Sequence, residues 1–410
     1  RPHGFLCSDG HYATARQIAE EGIVLLQNRN RVLPINTQKV RHVLVVGENA
    51  IKMMTVGGGS SSLKVQREIS PLQGLQARLA KDGVEVDFAR GYVGDVTGAY
   101  NGVTTGQNLE DKRSEAELIA EAVEKAKAAD CVILFGGLNK SDYQDCEGHD
   151  RQQYELPYAQ DKLITALAAA NKNFVYVNIS GNAVAMPWRD KVPAIVQGWY
   201  LGSEAGEALA AVLTGDANPS GKLPFTWVKS LQDVGAHALN TYPGTWRKEG
   251  GSKTEGNIID EEYKEGIYVG YRWADREKQR PVFAFGHGLS YTQFAISNLR
   301  ADKASMTAAD SITFTVQVKN IGQRAGSETV QLYVHDAKAS VDRPLKELKG
   351  FCKVSLQPGE SKDVCITLGK DALSFYDETT ASWKAEPGLF EAWVGNASDN
   401  LKLRKSFQLK

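Results

Sequence analysis

The stretch that decides the fold is Cys131-Val-Ile-Leu-Phe-Gly-Gly137, and after three residues comes Ser141-Asp-Tyr-Gln-Asp-Cys-Glu-Gly-His-Asp-Arg151. The first stretch is typical of a strand that is buried on both faces of a parallel sheet. The second contains three aspartates, one glutamate, one histidine and one arginine. Because open α/β sheets bind ligands at the carboxyl ends of such strands, we expect the functional site around Glu147.

Further apolar runs resemble this strand and alternate with amphipathic stretches. The apolar runs are residues 43–47, 84–88, 174–179 and 194–199. Helical spacing of apolar residues occurs in 12–27, 71–81, 114–128, 156–170 and 204–213. Strands that alternate with helices predict βαβ units and a mostly parallel sheet. We therefore expect an α/β sandwich domain over residues 1–228.

The periodicity changes towards the end of the chain. Residues 312–318 and 330–334 alternate between apolar and polar side chains. Short strands then recur at the spacing of roughly eight to twelve residues that is typical of an antiparallel β-sandwich. We expect such a sandwich over residues 293–410. Residues 229–292 are rich in glycine, charged and aromatic residues, and we expect a linker strap there.

The composition is that of a globular protein with at least two domains. The chain has 410 residues and a net charge of −1, and 42% of its residues are hydrophobic. The near-neutral charge argues against a nucleic-acid partner. A membrane span needs about eighteen consecutive apolar residues, and the sequence contains no such run. The first residue is Arg1, which indicates a processed chain or a segment of a longer protein.

The five cysteines show no spacing typical of a structural metal site, so we expect no metal there. Cys352 and Cys365 lie equally far from the turn centred on Pro358-Gly359. Two outcomes stay open for this pair. The cysteines form a disulfide across two strands, or they are free thiols packed as small hydrophobic side chains.

Other polar motifs have simple structural explanations. The glycine-rich residues 57–62 lack the spacing of phosphate-binding loops. Ser8 precedes a helix, where it would serve as an N-cap. His149 is a lone histidine without metal-ligand spacing. The sequence contains no G-x-S-x-G motif that would support a serine hydrolase.

Glu147 is the strongest candidate for chemistry. Asp145 and Asp150 lie close to it in sequence, and their negative charges would raise its pKa, whereas Arg151 would lower it. A carboxylic acid that stays protonated near neutral pH is what general acid catalysis of glycoside cleavage requires. A solvated acidic loop without a catalytic role explains the same residues and stays open at this point.

Glu147-Gly-His-Asp-Arg-Gln-Gln-Tyr-Glu-Leu-Pro157 is the most specific of several motifs that occur together. The others are residues 57–63, 181–188, 198–206, 215–224, 268–272, 285–291, 348–354, 358–360 and 373–376. Together they resemble glycoside hydrolase family 3, and the resemblance covers essentially the whole chain. In that family a (β/α)8 barrel is usually followed by an α/β sandwich and, in many members, by a fibronectin type III-like domain. This chain resembles the second and third of these.

The resemblance implies a role for individual residues. Glu147 matches the family's acid/base glutamate. Asp150 and Arg151 would position its loop through hydrogen bonds, or they form an ion pair that only holds the turn, and both alternatives stay open. Ser60 and Ser61, in a glycine-rich segment that would face the barrel, would bind substrate or position a loop. The family's nucleophile is an aspartate on the barrel, in a Ser-Asp-Trp type motif. That motif is absent from this sequence, so we expect no nucleophile in this chain.

The implied function is that of the C-terminal portion of a retaining, exo-acting β-glycosidase. We expect a β-glucosidase that removes terminal β-D-glucosyl residues from oligosaccharides or aryl β-glycosides. We expect the chain to be inactive alone and to need a barrel domain from a separate chain or a removed segment. Alternatives are β-xylosidase or α-L-arabinofuranosidase activity in the same family, and a non-catalytic carbohydrate-binding or assembly module.

The same mechanism predicts what else the protein needs. No metal or organic cofactor is required, because carboxyl groups perform both the proton transfer and the attack. By analogy with enzymes that act on plant-type oligosaccharides, we expect a periplasmic or extracellular location. Self-association into a homo-oligomer stays open.

Overall fold

The computed structural model describes residues 4–55, 63, 65–94, 96, 99–100, 103–147, 150–247 and 258–410. The chain separates into two compact units. The first extends to Gly221 and includes Gly288–Tyr291, and the second comprises Lys222–His287 and Thr292–Lys410. The domain limits predicted at residues 228 and 292 stay predictions. The two units are described in turn.

Among its described residues, the first unit has a six-stranded sheet, a short two-stranded ribbon and five α-helices. The strands are β1 (Val24–Asn28), β2 (His42–Val46), β3 (Glu85–Ala89), β4 (Ala99–Tyr100), β5 (Val103–Thr104), β6 (Cys131–Gly137), β7 (Phe174–Ile179) and β8 (Ala194–Gln197). The helices are α1 (Asp9–Gly22), α2 (Pro71–Ala80), α3 (Glu115–Ala128), α4 (Gln160–Ala170) and α5 (Ala205–Thr214).

The six-stranded sheet has the order β1-β8-β7-β6-β2-β3. β2 pairs in parallel with both β3 and β6, and β6, β7 and β8 continue the parallel arrangement. β1 is antiparallel to β8 at the edge. All residues of β6 and β7 are buried, because helices cover a doubly wound sheet on both faces. The predicted α/β class with a mostly parallel sheet is confirmed.

Residues 12–27, which have one continuous helical pattern, form two elements. α1 ends at Gly22, and Val24–Asn28 is strand β1. Ile23, Leu25 and Leu26 are at most 1% exposed. A continuous run of such apolar residues suits a strand whose two faces are both covered, so tertiary burial outweighs the local pattern here.

Serine residues define where three of the helices begin. Ser8, Ser70 and Ser114 each accept a hydrogen bond from the backbone N–H three residues later, and the side chain at that later position bonds back to the serine N–H. This reciprocal capping satisfies two N–H groups that the helix itself leaves unpaired. The predicted capping role of Ser8 is confirmed.

Helices α2 and α5 pack with their backbones in close contact. A Cβ atom added at Gly74 would lie 2.1 Å from the carbonyl oxygen of Gly206, and one added at Gly206 would lie 2.1 Å from that of Ser70. No side chain fits at such distances, so both positions require glycine. The two helices are therefore in backbone contact near their N-termini.

The second unit is rich in β-structure. It contains α6 (Gly235–Ala238), α7 (Tyr271–Arg276), and the short strands β9 (Thr245–Trp246) and β10 (Ile259–Asp260). The remaining strands are β11 (Phe294–Ala301), β12 (Ser305–Met306), β13 (Ser311–Asn320), β14 (Gly326–Asp336), β15 (Glu347–Leu356), β16 (Ser361–Gly369), β17 (Phe375–Asp377), β18 (Ser382–Lys384), β19 (Gly388–Gly395) and β20 (Leu401–Leu409).

Two sheets of this unit share one hydrophobic core. One has the order β11-β13-β16 and the other β12-β20-β19-β14-β15. Phe314 from the first sheet and Phe390 and Phe407 from the second lie in this core. Alternate residues of β13 are buried, as its sequence pattern predicts. The predicted β-sandwich is therefore confirmed.

All five cysteines lie in the described part of the chain, and none of them forms a disulfide there. Cys352 lies on β15 and Cys365 on β16, and these strands belong to different sheets. The Cys365 sulfur lies 3.5 Å from the Thr315 hydroxyl on the neighbouring strand β13. The disulfide alternative for this pair is therefore not realised.

Candidate active site

The candidate site lies at the topological switch point of the six-stranded sheet. β2 is followed along the sheet by β3 on one side, whereas β6, β7 and β8 lie on the other. In such sheets, the loops at the carboxyl ends of the two strands that flank this point form the ligand crevice. We call residues 47–52, which follow β2, the charged turn. We call the described residues 138–147 and 150–151, which follow β6, the acid loop.

The charged turn holds the backbone that leaves β6. Asn49 is buried, and its side-chain amide donates to the carbonyl oxygens of Gly136 at 3.1 Å and Leu138 at 3.0 Å. The Leu138 N–H in turn donates to the Ile179 carbonyl at the end of β7, at 2.8 Å. The start of the acid loop is thereby hydrogen-bonded to the elements on both sides of it.

Charged side chains are buried in and beside this turn. Glu48 and Lys52 have fully buried side chains, with their Oε1 and Nζ atoms 3.3 Å apart. The second oxygen of Glu48 accepts from Arg90 Nη2 at 2.7 Å and from the Gly94 N–H at 2.6 Å. Buried charges are tolerated when they are paired and hydrogen-bonded in this way. The cluster therefore has a structural explanation.

Asn139 organises the first half of the acid loop. Its side-chain oxygen accepts from the Ser141 N–H at 2.8 Å, and its backbone N–H donates to Gln144 Oε1 at 3.0 Å. Its backbone carbonyl accepts from the Asp145 N–H at 3.0 Å. The Tyr158 hydroxyl contacts the side-chain amides of both Asn139 and Gln144. The segment is therefore a compact hydrogen-bonded turn.

Asp145 connects the acid loop to the loops that follow β7 and β8. Its Oδ2 accepts from the Gly181 N–H at 2.6 Å and from the Tyr200 hydroxyl at 2.9 Å. Its Oδ1 accepts from Asn182 Nδ2 at 3.0 Å. Both carboxylate oxygens thus have protein donors, two residues before Glu147.

Arg151 connects the other end of the acid loop to the same region. Its Nη2 donates to the Ala183 carbonyl at 2.7 Å, and its guanidinium lies over the ring of Tyr154, 5.5 Å from the ring centroid. Nη1 is buried and makes no hydrogen bond to any residue that the structure describes. Burial lowers the pKa of the Arg151 guanidinium.

A buried polar network supports the backbone to which both residues bind. Asn178 Nδ2 donates to Ser180 Oγ and to Gln197 Oε1, each at 2.7 Å. Gln197 Nε2 donates to the Ser180 carbonyl at 2.8 Å, and Ser180 Oγ donates to the Asn182 carbonyl at 2.7 Å. The side chains of Asn178, Ser180 and Gln197 are fully buried, so these bonds are shielded from competing water.

An open, polar cleft of about 440 Å³ lies beside the acid loop. It is lined by Lys140, Gln144, Asp145, Cys146, Asp150, Arg151, Gly181, Asn182 and Tyr200. Glu147 directly follows the cleft-lining Cys146 and is exposed to solvent, as is Asp150. The Glu147 carboxyl group is therefore accessible to a ligand that approaches this edge of the sheet.

A smaller cavity of about 140 Å³ shares Lys140 and Tyr200 with the cleft. Its lining is more apolar and includes Ile69 and Trp199. Burial lowers the pKa of Lys140, whose Nζ lies 5.2 Å from the ring centroid of Tyr200. The acid loop, which carries Glu147, lines the cleft, so the cleft is the candidate site.

The structure brings Glu147, Asp150 and Arg151 together in one loop at the predicted edge of the sheet. Their assignment to catalysis and loop positioning stays a prediction, as does the raised pKa of Glu147. The predicted residues Ser60 and Ser61 lie outside the described residues, as do the other residues of 57–62 and His149.

Sequence reasoning missed the role of Asp145 and its partners Asn182 and Tyr200. It treated Asp145 only as a negative charge near Glu147. The available signal was positional, because Gly181 lies two residues after the end of β7 and Tyr200 lies three residues after the end of β8. Carboxyl ends of adjacent parallel strands meet at one edge, but which strands are adjacent could not be read from the sequence.

Among the described residues, no group of three or more histidine, cysteine, aspartate or glutamate side chains is arranged to hold a metal ion. Likewise, none of the helices in the described part of the chain has the length and apolar character needed to span a bilayer.

Two family models match the chain. The model for the glycosyl hydrolase family 3 C-terminal domain matches residues 23–271, and the model for a fibronectin type III-like domain matches residues 328–398. The β-glucosidase BoGH3A of Bacteroides ovatus is 46% identical over 421 residues, which cover 100% of this chain and 53% of that protein.

Solved structures show the same similarity. A GH3 β-glucosidase from Bifidobacterium adolescentis superposes with a TM-score of 0.85 at 33% identity, over 100% of this chain and 55% of its own. A β-glucosidase from Kluyveromyces marxianus, solved in complex with glucose, has a TM-score of 0.86 at 27% identity, over 98% of this chain and 62% of its own. The chain thus spans little more than half the length of these relatives.

Proposed function

The chain belongs to glycoside hydrolase family 3, and on that premise we propose that Glu147 is the acid/base residue of a retaining, exo-acting β-glucosidase. The substrate would be a terminal, non-reducing β-D-glucosyl residue of an oligosaccharide or aryl β-glucoside. The observation that carries this proposal is an exposed glutamate on a loop that is hydrogen-bonded to the sheet edge on both sides of it.

The proposed reaction has two steps with opposite proton transfers. In the first, the Glu147 carboxyl group donates its proton to the glycosidic oxygen while a nucleophilic carboxylate attacks the anomeric carbon, and the aglycone leaves as an alcohol. In the second, the Glu147 carboxylate takes a proton from water, which attacks the anomeric carbon and releases the nucleophile. Glu147 thus acts first as an acid and then as a base.

Retaining hydrolysis needs two carboxyl groups about 5–5.5 Å apart. Both oxygens of Asp145 accept hydrogen bonds from protein donors, so this carboxylate has a structural explanation that needs no nucleophilic role. We propose that the nucleophile is an aspartate on a (β/α)8 barrel outside this sequence, and that the chain alone does not turn over substrate. Asp150 and Arg151 would then hold the acid loop in place.

The names of the relatives support the choice of sugar. The Bacteroides ovatus and Bifidobacterium adolescentis proteins are β-glucosidases by name, and the Kluyveromyces marxianus enzyme was solved with glucose. A pyranose with glucose stereochemistry is therefore the first substrate to test.

Reconstitution tests the proposal. The 410-residue chain is mixed with a separately produced barrel fragment of the Bacteroides ovatus relative, and release of phenol from phenyl β-glucoside is measured. We expect hydrolysis by the mixture and none by either part. Glu147→Gln should lower kcat/KM for this poor leaving group by about 10²–10⁴-fold, the usual size of general acid catalysis. For 2,4-dinitrophenyl β-glucoside, whose leaving group needs no proton, kcat/KM should change little.

The matched control is Glu155→Gln, which removes an exposed carboxylate nearby in sequence and should alter neither substrate's kinetics. Turnover by the chain alone would contradict the proposed division of the site. Equal losses for both leaving groups in Glu147→Gln would contradict the acid/base role. No dependence on Glu147 at all would favour a binding module.

A further inference from the structure

Asp145 is a carboxylate of the acid loop that accepts three hydrogen bonds from neighbouring loops. Acid/base catalysis requires that the carboxyl group lie within hydrogen-bond reach of the glycosidic oxygen. Glu147 is exposed, so its own burial does not fix it. Its position therefore depends in part on how firmly the backbone of the acid loop is held.

The acid loop is held at two points that bracket Glu147. Two residues before it, Asp145 accepts from the Gly181 N–H and from Asn182 Nδ2. Four residues after it, Arg151 donates to the Ala183 carbonyl. All three partners belong to residues 181–183, which we call the platform segment. One rigid segment thus receives the loop on both sides of the proposed acid.

The platform segment has the rigidity that this role requires. Ser180 directly precedes it, has no exposed surface, and donates through Oγ to the carbonyl of Asn182 at 2.7 Å. Gln197 on β8 holds the Ser180 carbonyl at 2.8 Å. A fully satisfied buried network of this kind specifies one arrangement, because every alternative leaves buried polar atoms unpaired.

Of the two residues that hold the acid loop, Asp145 makes the stronger attachment. It receives three donors, among them the Tyr200 hydroxyl, which reaches it from the loop after β8. Hydrogen bonds to a charged acceptor are stronger than those between neutral groups. Three donors from two loops also define the position of the carboxylate in space, which one bond does not.

We propose that Asp145 is a positioning residue that orients the acid/base Glu147 by fastening the acid loop to the platform segment and to Tyr200. This proposal rests on the proposed function of Glu147. Asp145 does not touch the substrate in this scheme. It determines whether the proton of Glu147 points at the glycosidic oxygen.

Hydrogen exchange on the 410-residue chain tests the attachment without any assay of activity. In Asp145→Ala, amides of residues 138–147 and 181–183 should exchange about tenfold faster or more, as expected when hydrogen bonds to a charged group are lost. Peptides from α3 and β2 should exchange as in the wild type. The matched control is Asp142→Ala, an exposed aspartate of the same loop that lies 4.0 Å from the Cys146 sulfur, and it should leave 181–183 unchanged.

Leaving-group dependence in the reconstituted enzyme tests the effect on catalysis. Misplacement of a reacting group by about 1 Å costs about 100-fold, so Asp145→Ala should lower kcat/KM for phenyl β-glucoside by about 10-fold to 100-fold. The same variant should lower kcat/KM for 2,4-dinitrophenyl β-glucoside by less than about threefold, because that substrate needs little help from an acid. Asp145→Asn keeps one oxygen acceptor and should recover part of the loss.

The outcomes separate this proposal from the one on which it rests. Suppose that Glu147→Gln shows the leaving-group dependence but Asp145→Ala lowers kcat/KM equally for both substrates. Asp145 is then merely structural, and the positioning proposal fails. It also fails if exchange in 181–183 is unchanged in Asp145→Ala, whatever the kinetics. If Glu147→Gln shows no such dependence, the proposed function fails, and the positioning role of Asp145 fails with it.

Discussion

The charged turn and the acid loop lie at the same edge of one sheet, carry carboxylates after buried strands, and differ in what surrounds those carboxylates. Glu48 has a fully buried side chain that bonds to Lys52, Arg90 and a backbone N–H. Glu147 is exposed, and its loop is fastened by Asp145 and Arg151 instead. Glu48 lies two residues after β2 and Glu147 ten residues after β6, at the same edge of the sheet, so burial is what separates the two carboxylates.

The difference follows from what each group has to do. A buried carboxylate that is paired with cations contributes to stability only while its partners remain. A general acid has to give up its proton to a substrate and regain one, which requires access from outside. Glu48 therefore stabilises the structure at the switch point of the sheet. In our proposal, Glu147 performs acid/base chemistry at the same edge.

The largest effect on stability should come from Glu48→Gln. The substitution removes the carboxylate charge that pairs with the buried cations Lys52 and Arg90. Breaking a buried ion pair by removing one member typically costs about 3–5 kcal/mol. We expect a loss of this size in the free energy of unfolding of the 410-residue chain, measured by urea denaturation with fluorescence detection.

Glu147→Gln is the control for this measurement, because it makes the same chemical change in the neighbouring loop. Exposed substitutions usually change the free energy of unfolding by less than about 0.5 kcal/mol, and we expect that here. The comparison between the two loops would break if both variants unfolded at the same urea concentration.

A smaller loss of stability should follow Lys52→Met. This variant removes one cation and fills its volume with an apolar side chain, while Glu48 keeps Arg90 and the Gly94 N–H. Apolar replacement of a buried charge recovers part of the energy through packing. We expect a loss of about half that of Glu48→Gln in the same urea titration. A loss as large as that of Glu48→Gln would show that Lys52 is as central to the cluster as Glu48.

Much of the fold could be predicted because it depends on local periodicity. Alternation with a period of two predicted β13, and the fully apolar run 131–137 predicted the buried central strand β6. The edge of the sheet that carries Glu147 followed from the same observation. These features depend on which side chains of a single segment are buried and which face water. The order of apolar and polar residues in that segment shows this directly.

Other features depend on contacts between distant segments and could not be predicted in this way. Residues 24–28 continue the helical pattern of α1, yet they pair with β8, some 170 residues later, as strand β1. The partners of Asp145 became neighbours only because β6, β7 and β8 are adjacent in the sheet. Glu48 is an ordinary charged residue in the sequence, and only the tertiary structure buries it.

The smallest expected effect concerns Asp161, a half-buried carboxylate near the start of α4. Its burial is intermediate between that of Glu48 and that of Glu147. Burial raises its pKa above the ordinary 3.8, while its bond from Trp188 Nε1 at 2.6 Å opposes the rise. The folded state therefore holds this proton more tightly than the unfolded state. The stability linked to the proton is fully present below pH 3.8 and is lost as the pH rises through the raised pKa.

Asp161→Asn keeps an oxygen acceptor for Trp188 but does not titrate, so the variant should gain stability relative to the wild type as the pH rises. Thermal unfolding at about pH 4 and about pH 7 should show the Tm difference between variant and wild type becoming more positive by about 1–3 °C. Asp190→Asn, which changes an exposed carboxylate of the same unit, controls for the loss of one charge. A Tm difference that stays constant or falls with pH would mean that Asp161 behaves like an exposed carboxylate. Partial burial alone would then not make a carboxylate intermediate in behaviour between Glu48 and Glu147.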